Sequence, residues 1–120
     1  MRVAVAMEGN VVSEHFGHCE RFCLADIDNC QITNLQVIDN PGHVPGFLPE
    51  FLAGKGVNCV ITGGIGAKAV QLFNQNNIAV ISGARGTDQE VLNKYLKGEL
   101  HSTGSICTEH MHAGECGGHK

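Results

Sequence analysis

Residues 57–82 read VNCVITGGIGAKAVQLFNQNNIAVIS, and their pattern decides the fold. Val57 to Thr62 and Ile78 to Ser82 are short apolar runs bounded by breakers, as expected of buried strands. Between them the chain turns at Gly63, Gly64 and Gly66 and is expected to run as a helix to about Asn76. Strand, helix and strand in that order imply a right-handed parallel crossover, and hence a sheet covered by helices.

Working outward, GARG is a loop, and TDQE at Thr87–Glu90 is a capping box opening a further helix. Val91, Leu92, Tyr95 and Leu96 form its buried stripe, and Gly98 stops it. Upstream, Phe47, Leu48, Phe51 and Leu52 make one helical stripe, with Pro49 tolerated in a first turn and Gly54 or Gly56 ending the helix. Residues 40–46, NPGHVPG, form a loop. Before it, Arg21–Asp28 and Gln31–Asn40 read as strands separated by two residues, which makes them an antiparallel hairpin. Arg2–Met7 is the first strand, followed by a turn and loop. The order β-β-β-α-β-α-β-α predicts a mixed sheet flanked by helices in residues 1–100. Residues 101–120 have little apolar content and no periodicity, and are expected to form a flexible Cys/His-rich tail outside the core.

A chain of 120 residues suits one domain with one core. Its net charge of −4 and isoelectric point near 5.9 argue against a nucleic-acid or anionic-membrane partner. No apolar run is long enough to cross a bilayer. MRVAVAMEGN reads as a strand and not as a signal peptide, so a cytoplasmic protein is expected. In that reducing setting the six cysteines suit metal binding, redox chemistry or burial better than disulfides. Seven histidines beside one Tyr and no Trp enrich metal-ligand types, not stacking types.

Four places carry chemistry. In EHFGHCERF (Glu14–Phe22), His15, His18 and Cys19 offer soft and borderline ligands, Gly17 permits close approach, and Phe16 and Phe22 can pack inward. The same loop is also compatible with solvated histidines. TGGIG (Thr62–Gly66) lies between strand and helix, where backbone N–H groups and the positive helix end form an anion site; a tight turn also wants glycine there. Its match to G-x-G-x-x-A is discounted, because the next strand ends in Ser82-Gly83 with no acidic residue to hold a ribose. SGARG (Ser82–Gly86) follows the next strand, with Arg85 either facing an anion or solvated. All three loops follow strand carboxyl ends, where open α/β sheets bind ligands. In the tail, Cys107, His110, His112, Cys116 and His119 suit a Zn, Cu, Ni or Fe ion. Cys23 and Cys59 lie in strands and read as small buried hydrophobes, and the role of Cys30 in the hairpin turn is open.

EHFGHCERF after a first strand, TGGIGAKAVQLFNQNNI in the middle and a Cys/His-rich end together resemble the dinitrogenase iron–molybdenum cofactor-binding family, which includes NifX, NafY and the C-terminal domain of NifB. The resemblance runs from Met1 to about Gly98. It implies a ribonuclease H-like α/β fold with a mixed five-stranded sheet. It further implies non-enzymatic binding and carriage of an iron–molybdenum–sulfur or other iron–sulfur-type cluster, or a precursor, between donor and acceptor assembly proteins, by a monomer or weak dimer. Carried over, His15 is the leading ligand candidate and Gly63, Gly64 and Gly66 line the pocket. Cys19 departs from the family pattern, which more often has a small residue there, and becomes an added ligand candidate. The cofactor-binding set is thus His15, Phe16, Gly17, His18, Cys19, Thr62, Gly63, Gly64, Ile65, Gly66 and Arg85, with Lys68 a nearby cation.

Two other functions compete with this reading. A metallochaperone or metal buffer would use the tail alone. A nuclease would need converging carboxylates on divalent metal, for which Glu8, Asp26 and Asp28 are a sparse set.

Overall fold

The computed structural model describes residues 1–41, 47–98 and 100. Its elements are β1 (Arg2–Glu8), β2 (Val11–Val12), β3 (Arg21–Asp28), β4 (Gln31–Asp39), α1 (Phe47–Gly54), β5 (Cys59–Ile61), α2 (Ala67–Gln75), β6 (Ala79–Ile81) and α3 (Asp88–Leu96). A 3-10 turn at Phe16–His18 lies between β2 and β3. The strands form one six-stranded sheet with the path β4-β3-β1-β5-β6, and β2 pairs with β1 off that path. β1, β5 and β6 are parallel, while β3 and β4 continue the sheet antiparallel on the other side of β1.

The mixed sheet matches the sequence reading, but five strands become six. Gly9, at φ +63°, and Asn10 fold Val11 back onto Glu8 and Val12 onto Met7. A Gly-Asn pair is a hairpin signal. A strand of two residues shows no alternation, so the sequence pattern does not reveal it. The longer hairpin is as expected: Asn29 (φ +53°) and Cys30 (φ +62°) supply the consecutive left-handed residues that match strand twist.

The alternation of β1 sorts the core, because successive side chains point to opposite faces. Val3, Val5 and Met7 face α3, packing in one cluster with Cys59, Ile61, Ile81, Val91, Leu92 and Tyr95. Ala4 and Ala6 face α1 and α2, together with Phe22, Leu24, Leu52, Val60 and Phe73. The small alanines leave room for Phe22 and Phe73, both fully buried, each contributing about 1.5–3 kcal/mol of hydrophobic stabilisation.

Cys23 and Cys59 are buried free thiols, and desolvation pushes them up to about 11 and about 12, so both remain protonated and inert at neutral pH. The carboxylates a nuclease would need do not converge. Glu8 ends β1, whereas Asp26 pairs across the sheet with Arg2 at the start of β1, and Asp28 lies beyond it. Arg2 Nε donates to Asp26 Oδ1 at 2.6 Å, so this carboxylate already has a protein partner. Among the described residues, no helix is long and apolar enough to cross a membrane.

Candidate functional site

Because β1, β5 and β6 run parallel, their carboxyl ends share one edge of the sheet. Three loops meet there: residues 9–20, 62–66 and 82–86. They are joined through main chain. The Gly63 N–H donates to Ser13 O, the Phe16 N–H to Gly64 O, and the Ala84 N–H to Thr62 O, at 2.8, 2.8 and 3.1 Å. The Val12 N–H donates to Gly86 O at 2.8 Å. Ser13 and Thr62, the buried polar residues among those described, serve the same joints. Ser13 Oγ donates to His15 O and accepts from the His15 N–H, and Thr62 Oγ1 donates to Gly64 O.

This stitching explains the glycine pair. A Cβ on Gly63 would sit 2.7 Å from Ser13 O and 2.9 Å from the Glu14 Cα, and one on Gly64 would collide with Glu14 O. Both glycines are therefore required by the loop lying across them. The Gly63 amide is occupied by Ser13 O and is not available to an anion.

Two adjoining clefts open on this edge. One, of about 720 Å3, is lined by Val12, Glu14, His15, Gly63, Gly64 and Gly83–Gly86. The other, of about 540 Å3, is lined by Glu14–His18, Gly64, Ile65, Gly66 and Ala69. Glu14, His15 and Gly64 belong to both, so the exposed His15 imidazole stands on the ridge between them. The His18 ring faces the smaller cleft, with its centroid 6.3 Å from that of His15 and its plane nearly perpendicular. Phe16 holds the loop down. Its ring is buried against Phe22 and Phe73, at centroid distances of 5.7 and 5.2 Å.

The smaller cleft also receives the start of α2. Gly66 is the N-cap residue, no side chain caps the helix, and no acidic residue lies in its first turn. The first-turn amides have no intrahelical acceptor, so they and the positive end of the helix dipole are available to a negative ligand. Arg85 is exposed in the wall of the larger cleft and is in no salt bridge among the described residues. The edge thus offers imidazole nitrogens, a common type of metal ligand, and peptide N–H groups for anionic atoms.

Residues 1–98 match the family described as dinitrogenase iron-molybdenum cofactor. The chain belongs to that family. Protein MJ0580 of Methanocaldococcus jannaschii is 32% identical over 105 residues, covering 83% of this chain and 89% of the relative. The crystal structure of PH0822 has a TM-score of 0.81 at 33% identity, covering 88% of this chain and 96% of that one. The apo form of the orange protein from Desulfovibrio gigas has a TM-score of 0.74 at 25% identity, covering 87% and 93%.

Within this member of the family, the structure brings together most of the residues singled out from sequence. His15, Phe16, Gly17, His18, Gly63, Gly64, Ile65, Gly66 and Arg85 all line one cleft or the other. Two do not. Thr62 is fully buried beneath the turn it braces. Cys19 points into the core with Phe16 and Phe22, accepts from Asn40 Nδ2 at 3.5 Å, and is pushed by burial up to about 11. A protonated thiol directed away from the clefts is not placed to ligate there. Lys68, in the first turn of α2, is exposed but lines neither cleft. Cys107, His110, His112, Cys116 and His119 lie outside the described residues. Sequence reasoning missed Glu14 and Ser13. Glu14 adjoins His15, but nothing in a single sequence shows that both clefts share it. Ser13 is marked by small size and polarity next to two valines, a weak sign of a buried hydroxyl.

Proposed function

We propose that this chain binds an iron–molybdenum–sulfur cluster, or a related iron–sulfur-type precursor, and passes it between assembly proteins in the cytoplasm without transforming it. The observation that carries this reading is His15 on the ridge between two clefts, beside the uncapped start of α2. A metal–sulfur cluster offers metal ions to an imidazole and anionic sulfur to N–H donors, and this edge presents both. Among the described residues, no three His, Cys, Asp or Glu side chains are grouped to hold a metal ion. Sparse ligation suits cargo that must leave again, in contrast to the four thiolates that hold a ferredoxin cluster. The strand path β4-β3-β1-β5-β6, with its antiparallel pair, supports the ribonuclease H-like name as part of the same reading.

The test is anaerobic loading of the full chain with iron, sulfide and molybdate, followed by re-isolation, visible spectroscopy, and metal and acid-labile sulfide analysis. The expected result is a bound chromophore containing iron and sulfide, with His15→Ala lowering affinity at least about tenfold, the loss of one metal–ligand bond. Substituting Cys107 and Cys116 by Ser should leave loading intact. If His15→Ala loads like the wild type and the tail substitutions abolish uptake, the cleft is not the site and the tail is the metal-binding device.

A further inference from the structure

β4 is the strand the fold does least to protect. It ends the sheet path, and only Ile32 and Ile38 of its nine residues are even half-buried. Helices α1 and α2 cover one face of the sheet and α3 the other, yet the middle of β4 on the α3 side stays open. Ala25 and Cys23 on β3 are buried, whereas their cross-strand partners Leu35 and Val37 are 50% and 60% exposed.

The hydrogen-bond phase shows which backbone groups face outward. The Asn40 N–H donates to Glu20 O, so even-numbered residues of β4 exchange hydrogen bonds with β3. Leu35, Val37 and Asp39 therefore aim their N–H and C=O groups at the open edge, where no strand meets them among the described residues. The two exposed apolar residues of β4 are thus among those whose main chain meets no other strand among the described residues.

Natural edge strands are usually guarded by Lys, other charges or Pro. Gln31 to Ile38, QITNLQVI, contains none of these. The irregularity opposite Asp26/Ile27 lies toward the hairpin end and leaves residues 34–39 in regular ladder.

We propose that β4 is a self-association edge, pairing antiparallel with β4 of a second copy of this chain. One register is self-complementary: Leu35 of each copy lies opposite Val37 of the other, and Gln36 faces Gln36 across the two-fold axis. It gathers four apolar side chains into one block, joins the free N–H and C=O groups, and sets no like charges opposite each other. A second copy fits better than a foreign strand, because the sequence supplies its own apolar complement and the register sets Asp39, the charged residue of β4, opposite Thr33 and not opposite another acid. The assembly closes as a dimer. The opposite edge, β6, has only three residues, so a two-fold pairing through β4 leaves no comparable edge for further growth. No residue of β4 lines either cleft, so both stay open in the pair.

The test is sedimentation velocity of the full chain over a range of concentrations, with a reductant present so that intermolecular disulfides do not contribute. The expected result is a concentration-dependent dimer. Val37→Lys and, separately, Leu35→Lys should weaken its association at least about tenfold by introducing edge charges. Both side chains are exposed, so circular dichroism and the denaturation midpoint should match the wild type. A wild type that sediments as a monomer throughout overturns the proposal. So does a dimer that both folded variants form as readily.

Discussion

Helices α2 and α3 each begin just past a parallel strand, after a glycine-containing turn, on the same edge of the sheet. Their first turns are finished differently. In α3, Thr87 Oγ1 accepts from the Glu90 N–H while the Glu90 carboxylate accepts from the Thr87 N–H, and Asp88 adds a second acid. That end supplies its own acceptors and its own negative charge. In α2, glycine stands at the cap, no acid follows, and Lys68 lies in the first turn. A cap such as that of α3 is worth about 1 kcal/mol, and α2 does without it. What holds α2 is Phe73, fully buried against the sheet. One helix start is closed by its own sequence; the other is open beside both histidines.

Substitutions can break that contrast. The largest effect is expected at Gly64→Ala, whose methyl collides with Glu14 O and must displace backbone. A loss of about 2 kcal/mol in urea denaturation is expected from such overpacking, together with loss of cluster loading. Gly66→Ala, with open space around its Cβ, should cost less than about 1 kcal/mol. Next is Thr87→Ala, which opens the α3 end. It should cost about 1 kcal/mol by the same measurement and leave loading unchanged. Gly66→Asp makes α2 resemble α3: stability should rise by a few tenths of a kcal/mol, roughly the Gly-to-Asp difference at a cap. Cluster affinity, read by titration, should fall about tenfold as the new carboxylate takes the amides and the positive helix end.

The smallest effect belongs to the far end of the sheet. The hydrogen bond and charge of Arg2 hold Asp26 below the usual carboxylate range. A depressed folded-state value means the stabilisation is present above the ordinary carboxylate range and is lost as pH falls through the folded value. Asp26→Asn should therefore differ from the wild type near neutrality and converge with it in strong acid. Parallel urea titrations at the two pH values would show this, and loading near neutrality should be unaffected.

Much of this was legible in sequence because it rests on local chemistry. The apolar runs around TGGIG, the two-residue hairpin turn before Gln31 and the capping box at Thr87 each announce an element within a few residues. The meeting of three loops also followed, since parallel strands must end on one edge. What was hidden depends on contacts distant in sequence. Gly63 and Gly64 read equally as an anion cradle or a tight turn; their actual constraint is the backbone of Ser13 and Glu14, some fifty residues away. Cys19 looked like a ligand beside His18, yet the 3-10 turn at Phe16–His18 rotates it into the core. Thr62 is hidden for the same reason: its hydroxyl is turned to the main chain of its own loop.

The joints between the loop and the glycine turn are made by peptide groups and not by the side chains that line the clefts. Their geometry is therefore indifferent to which residues occupy positions 15 and 18. Descendants of such a chain could exchange one imidazole for a thiol or an amide, and so change what the clefts accept, while inheriting the socket intact.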